Sequence, residues 1–443
     1  MVDLQSKKKK DKIIKGTKKL IHRVLDPSMS IARTCEIRVK ARKAEAHYDE
    51  VINKIKASGR TRLKFAAYVI FDSTYGMDGV FKLMMKDPEH WNPVIVVIPD
   101  VARGSDHAAR TYKKTKEYFV NRYGQEHVID GWDADRNEYY DHIDEFDIVY
   151  YANPYDNMVH KYHKICYAYK KNVLPIYVSY GYDVGRFTTL SRLRGKELNL
   201  VWKLFADTTY TYKDYLKYQT IKGKNVVLAG YSKMDDLCSC DDGDSMQSNR
   251  KKILISAHHT VSMETLPLSN FLKYNDLILE LPVMFPDVDF VFRPHPLLFT
   301  TLVNEGIWTQ EEVAYYTKVI EDRGIEYSTG GDYLGLFRKC DAIVNDCGSF
   351  TVEWLYTGKP GCFVYNDKLK REHLTTLMNK AIERYTVARS RQDIIEFVKS
   401  VAENNHVESR GMSRWVKDNI ALNYPRVSEY ILNEINILNK VGQ

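Results

Sequence analysis

Apolar runs of strand length alternate with helical segments through most of the chain. In the first half the runs are Phe65–Phe71 (FAAYVIF), Val94–Pro99 (VIVVIP), Phe146–Tyr151 (FDIVYY), Leu174–Val178 (LPIYV) and Val226–Ala229 (VVLA). Strands spaced by helices predict a parallel sheet and an α/β fold. Residues 100–124 follow one such run and read as a loop and an amphipathic helix. From Ser232 to Asn249 the chain is polar, acidic and without apolar periodicity, which predicts a linker. The alternation then restarts with Ile253–Ser256, Asp289–Phe292, Ala342–Val344 and Cys362–Tyr365. Helical periodicity from Ser413 to Asn439 (Trp415, Ile420, Val427, Tyr430, Ile431, Ile435, Leu438) predicts terminal helices that pack back across both lobes. The expected division is a helical extension (1–58), a first Rossmann-like domain (59–231), the linker (232–250), a second such domain (251–405) and the closing helices (406–443).

Length agrees with two doubly wound domains facing a cleft, since 443 residues exceed one ordinary core. An apolar share of 44% and a charged share of 28% exclude a disordered or fibrous chain. The seven cysteines are scattered without paired CxxC spacing, so free thiols are expected and no metal or cofactor is. No apolar run reaches the ~18 residues of a membrane span, and no secretory h-region is present, which predicts a cytoplasmic protein. The net charge of +7 is local: residues 1–23 carry nine basic side chains against Asp3 and Asp11, while the rest of the chain balances. A neutral body argues against a nucleic-acid enzyme. Within the tail, Ile13, Ile14, Leu20, Ile21, Val24 and Leu25 recur at near-helical spacing beside the lysines. Residues 1–25 are therefore expected to lie on an anionic membrane, each basic residue contributing ~1 kcal/mol.

In open α/β sheets ligands sit beyond the carboxyl ends of the strands. Three segments of the second half place polar groups at such ends: Ser256-Ala257-His258-His259-Thr260, Arg293-Pro294-His295-Pro296, and Asn345-Asp346-Cys347-Gly348-Ser349-Phe350 with Glu353 one turn on. A Gly-Ser turn opening a helix directs free N–H groups at an anion, and Ser349 adds a hydroxyl. Arg293 and His295, on a loop stiffened by two prolines, suit a diphosphate whose bond is breaking. Glu353 is placed to accept from polyol or ribose hydroxyls. Asp133-Ala134-Asp135 has the DxD spelling of metal-dependent glycosyltransferases but sits in a polar stretch of the first half.

The string FRPHP, followed about fifty residues later by CDAIVNDCGSFTVEWLYTGKPGCFVY, resembles the CDP-glycerol glycerophosphotransferase family of teichoic-acid and capsule polymerases. The likeness is good over residues 250–370 and looser over 60–230, where NPVIVVIPDVARG and PIYVSYGYDVGRF take plausible family positions. It implies a GT-B architecture with the donor nucleotide on the second lobe and the acceptor on the first. It implies further that Arg293, His295, Gly348, Ser349 and Glu353 bind the donor and that Asp346 shapes the turn. Many members have a His-Gly pair whose histidine is the proposed base, and here Tyr180-Gly181 takes that place. A phenol titrating near ~10 is a poor base at neutral pH, which leaves Asp183, His258 and His259 as further candidates beside Tyr180.

The reaction implied is attack of an acceptor hydroxyl, on a lipid-linked or polymer acceptor, at the β-phosphorus of CDP-glycerol or a similar CDP-polyol. CMP leaves, and a bacterial surface polymer grows on the inner face of the membrane. Two alternatives stand beside it: a GT-B glycosyltransferase using a nucleotide sugar, and a non-catalytic scaffold of a membrane-associated assembly complex.

Overall fold

The computed structural model describes residues 27–238, 250–330, 333–404 and 411–438. The basic tail and the middle of the expected linker lie outside the described residues. Among those described, no helix is long and apolar enough to cross a membrane.

The first lobe opens with α1 (Pro27–Ala57), β1 (Leu63–Val69), α2 (Asp78–Met85), β2 (Trp91–Val97), α3 (Ser105–Tyr123) and β3 (Val128–Asp130). A small hairpin of β4 (Trp132–Asp133) and β5 (Glu138–Tyr139) leads to β6 (Ile148–Tyr151), α4 (Ile165–Ala168), β7 (Leu174–Val178) and α5 (Arg186–Leu193). The lobe ends with β8 (Lys203–Ala206), α6 (Thr209–Tyr218), β9 (Val226–Leu228) and α7 (Asp235–Cys238). Its seven strands run parallel in the order β3-β2-β1-β6-β7-β8-β9. Because successive side chains point to opposite faces, Phe65, Ala67 and Val69 enter one core layer while Ala66, Tyr68 and Ile70 enter the other. Strands covered on both faces need continuous apolar runs, which is why these were legible. Helix α1 buries Ile37, Ala41, Ala44, Tyr48, Val51 and Ile55, a stripe at helical spacing against this lobe.

The second lobe contains β10 (Lys251–Ser256), α8 (Phe271–Met284), β11 (Val288–Phe292), α9 (Leu298–Asn304), α10 (Gln310–Asp322), β12 (Glu326–Tyr327) and α11 (Tyr333–Lys339). It continues through β13 (Ala342–Asn345), α12 (Gly348–Glu353), β14 (Gly361–Val364), α13 (Thr376–Ile382), β15 (Thr386–Ala388) and α14 (Arg391–Ala402). The parallel order β12-β11-β10-β13-β14-β15 reverses direction between β10 and β13, as the first sheet does between β1 and β6. These reversals are the switch points where α/β sheets open a crevice.

Two closing helices, α15 (Arg414–Asn419) and α16 (Val427–Ile435), return the chain to its start. Val416 and Ile420 pack in the second lobe, whereas Val427, Ile431 and Ile435 belong to the core of the first.

The structure departs from the sequence expectation in two places. Residues 232–238 are packed, not extended: Met234 is fully buried, the Ser232 hydroxyl donates to the Gly76 carbonyl (2.7 Å), and Asp235 accepts from the amides of Val427 and Ser428 that begin α16. Seven residues are too few to display a period. Four ladder strands also went unread. β3, β12 and β15 are short pieces at or near a sheet edge, and β8 begins with Lys203, whose amine leaves the sheet to bond the Glu434 carboxylate (2.7 Å).

Candidate functional site

The ladder brings the three polar segments of the second lobe together. Ser256 at the end of β10 pairs with Asn345 at the end of β13, and Ile255 pairs with Phe292 at the end of β11. Beyond the ladder the Arg293 amide donates to the Ile255 carbonyl (2.9 Å) and the His295 amide to the Ala257 carbonyl (2.8 Å). Asp346 braces the arrangement from below, accepting from the amides of His258 (2.7 Å) and Asn270. Burial outweighs those amides and pushes its carboxyl up to about 7.

His258, His259 and His295 form one cluster, with ring centroids 4.4, 5.1 and 4.1 Å apart. Burial pushes all three below the usual imidazole range, His258 most strongly and His295 to about 3, so the rings are neutral at neutral pH. His258 Nδ1 lies 2.9 Å from the Thr260 hydroxyl, and His259 Nδ1 is buried without a partner. The Leu297 amide donates to His295 Nδ1 (3.1 Å). A neutral imidazole that accepts at one nitrogen carries its proton on the other, so His295 presents an Nε2–H donor. Although one nitrogen of each ring lies within 4.8 Å of the others, this tautomer withholds one of the three lone pairs a cation would need. A second cluster among the described residues, Asp156, Cys166 and Glu197, fits no better. Asp156 spends its oxygens on the amides of Ile165 (2.8 Å) and Cys166 (3.0 Å), and burial pushes the Cys166 thiol up. The DxD carboxylate of Asp133 locks the turn of the hairpin, accepting from the amides of Asp135 and Arg136, both at 3.0 Å.

Arg293 is turned inward. Its guanidinium donates to the Ser328 hydroxyl (2.8 Å) and the Gly330 carbonyl (2.7 Å), with the Tyr333 ring 5.8 Å away. Tyr333 in turn serves Glu353, whose Oε2 is buried without a partner. Burial pushes the Glu353 carboxyl up, and Lys233 opposes that.

The start of α12 faces the first lobe. A side chain at Gly181 would come to 3.0 Å from the Ser349 hydroxyl, and one at Gly348 to 3.0 Å from Val184, so glycine on both sides lets the two segments approach closely. Nearby, the Thr375 amide donates to the Val184 carbonyl (2.8 Å), and the hydroxyls of Tyr182 and Tyr356 meet at 2.8 Å. Asp183 reaches the second lobe's border, its carbonyl accepting from the Thr375 hydroxyl (2.7 Å), but its carboxylate is committed. Burial holds the Tyr180 phenol above its usual range, with Tyr155 adding to the effect, and both oxygens of Asp183 accept from Arg192.

One residue at this border escaped the sequence reading. Asp207 follows β8 directly, is 2% exposed, and has no hydrogen-bond partner at either carboxylate oxygen. The Thr211 hydroxyl lies near enough to ease its ionisation but is engaged with the Thr208 hydroxyl (2.9 Å). Burial, reinforced by Asp183, pushes the Asp207 carboxyl up to about 7. The signal that would have found it is the four-residue run Lys203–Ala206 read as a strand, since Asp207 then stands at a strand's carboxyl end.

No family model matches the chain, and no curated protein matches it. Solved structures do. A variant of the wall teichoic acid polymerase TagF superposes with a TM-score of 0.52 at 13% identity, covering 92% of this chain and 96% of that one. TagF soaked for 15 minutes with CDPG gives 0.53 at 12% identity over the same shares. The UDP-GlcNAc 2-epimerase from Methanocaldococcus jannaschii gives 0.52 at 12% identity, covering 84% of this chain and 99% of that one. These likenesses establish the architecture: the chain has the GT-B fold, two Rossmann-like lobes whose strand ends face one another.

Proposed function

We propose that the protein transfers a polyol phosphate, glycerol phosphate first among the class, from a CDP-activated donor to an acceptor hydroxyl in the synthesis of a cell-surface polymer. The observation that carries this reading is that β11 and β13 flank β10, which sets the Arg293-Pro294-His295 loop and the uncapped start of α12 with Ser349 at the same end of the second sheet. Amide and imidazole donors with a nearby fixed cation suit a diphosphate. A TagF structure soaked with CDPG has the same fold, which supports the choice of donor class.

In this reading the donor lies on the second lobe and the acceptor on the first. The acceptor oxygen bonds to the β-phosphorus, the bridging P–O bond breaks, and CMP leaves with its electron pair. Phosphoryl transfer through a loose transition state asks mainly for positioning and charge stabilisation. Ser349 and the first amides of α12 hold phosphate oxygens, His295 donates from Nε2, and His258 and His259 complete the neutral wall. Arg293 holds the loop at 328–330 through Ser328 and Gly330, and Asp346 fixes the turn.

A second reading, transfer of a sugar from a nucleotide sugar, is favoured by Tyr180 at the family's histidine position and by the shared fold of an epimerase solved with UDP-GlcNAc and UDP. The released nucleotide decides between them. Purified protein incubated with CDP-glycerol, CDP-ribitol and a panel of nucleotide sugars, with and without chelator, is expected to release CMP from a CDP-polyol when acceptor is present. His295→Ala should lose that release while keeping its fold by circular dichroism. Release of UDP or GDP from a sugar donor instead would replace the first reading with the second.

A further inference from the structure

The interface between the lobes buries a carboxylate that the donor site does not use. Asp207 follows β8 at the carboxyl edge of the first sheet, the edge that faces the second lobe. Neither of its oxygens has a partner, although a buried carboxylate ordinarily accepts two or more hydrogen bonds. Around it stand Asp183 from the loop after β7, Arg192 from α5, and Thr211 and Tyr215 from α6. Tyr182, Tyr231 and Tyr356 feel its charge as well, and Tyr356 belongs to the opposite lobe. The Tyr182–Tyr356 hydroxyl pair that closes the interface therefore lies within electrostatic range of Asp207.

An orphaned pair of acceptor oxygens calls for a donor of hydrogen bonds. An ammonium or metal cation is a poor occupant here, because it would give up its hydration for this one carboxylate, Asp183 being spent on Arg192. A neutral hydroxyl fits. It satisfies the carboxylate without adding charge, and an acceptor with a terminal hydroxyl brings one to this border.

We propose that Asp207 receives the acceptor's hydroxyl between the lobes and takes its proton as that oxygen bonds to phosphorus. This rests on the transferase reading. The step balances without a further reactant: the acceptor O–H bond breaks toward Asp207, the new P–O bond forms, and the old one leaves with CMP. It also supplies a base in place of the histidine of the resembled family, where burial holds the Tyr180 phenol above its usual range and Asp183 is engaged by Arg192. Asp207 is buried, so entry requires the border between the lobes to open, and acceptor binding and that opening are one event. A carboxyl titrating at about 7 is near the value at which a base works best in neutral solution.

The test compares wild type and Asp207→Asn in CMP release with acceptor, in CDP-glycerol binding by calorimetry, and across pH. Asp207→Asn is expected to lose roughly 100-fold or more of turnover, the usual scale for a general base. Donor affinity should stay at the wild-type value. Wild-type kcat/KM should rise with pH through about 7 as Asp207 ionises, and the variant should lack that limb. Near-wild-type turnover with the limb retained would overturn the proposal and leave the transferase reading intact. Should the variant fail to fold, a wild-type profile flat through neutral pH does the same. Wild-type protein that releases CMP from no CDP-polyol removes the reading, and the proposal with it.

Discussion

Asp346 carries a structural load that its position in a Gly-Ser phosphate-type turn does not advertise. Its two oxygens take the amides of His258 and Asn270, and the Asn270 side chain goes on to the carbonyls of Leu268 (3.1 Å) and Val364 (2.9 Å). Each buried amide left without an acceptor costs ~1–3 kcal/mol. Asp346→Ala should therefore destabilise the protein by about 2–6 kcal/mol in urea unfolding, and Asp346→Asn by less because one carbonyl oxygen remains. An Ala variant as stable as wild type would mean that the loops after β10 and β13 are held by something else. The sequence displayed the aspartate and its turn, but the partners lie 76 and 88 residues away and only the ladder brings them near. Arg293 shows the same gap in reverse. Its residue type and its neighbouring histidine were legible, whereas the inward turn of its guanidinium depends on Ser328 and Gly330, which no local pattern connects to it.

At the scale of elements, what could be read was whatever burial writes into the chain directly. β1, β2, β6, β7, β10 and β13 are interior strands, so their apolar runs stand out; two-residue β12 and the exposed Thr386 and Val387 of β15 write almost nothing. Missing β8 removed Asp207 from view, because a carboxylate acquires meaning when it stands at a strand end. The closing helices were legible through their period, and their division of labour is a property of the fold. α16 sends Val427, Ile431 and Ile435 into the first lobe although the preceding α15 packs on the second. Ile431 is fully buried, and truncating such a residue leaves a cavity worth ~2–5 kcal/mol. Ile431→Ala should lower first-lobe stability by that amount, read as faster hydrogen exchange in β1 and β2 with smaller change in β10 and β13. Equal loss of protection in both sheets would show that α16 couples the lobes into a single cooperative unit.

At the scale of the whole molecule, the interface between the lobes stores an unfavourable ionisation. The Asp207 carboxyl is raised from its ordinary 3.8 to about 7, so folding favours its protonated form. Stability from this group is complete below the unfolded value and is lost as pH rises through about 7, where the folded protein must ionise a buried carboxylate. The rise corresponds to a penalty of ~4 kcal/mol at alkaline pH as an upper bound. Asp207→Asn removes the ionisation while keeping the shape. It should raise the melting temperature a little at pH 5, where part of the penalty already applies, and by more at pH 8, so that thermal melts show wild type falling between about pH 4 and 7 and the variant level. The same substitution is expected to lower turnover roughly 100-fold or more, and the two results together separate a functional carboxylate from a structural one. A structural Asp207 would melt lower as Asn at every pH, because its oxygens would be serving the fold. One that costs stability when ionised and is required for transfer is held in place by function, the trade expected where a site is kept strained for its chemistry.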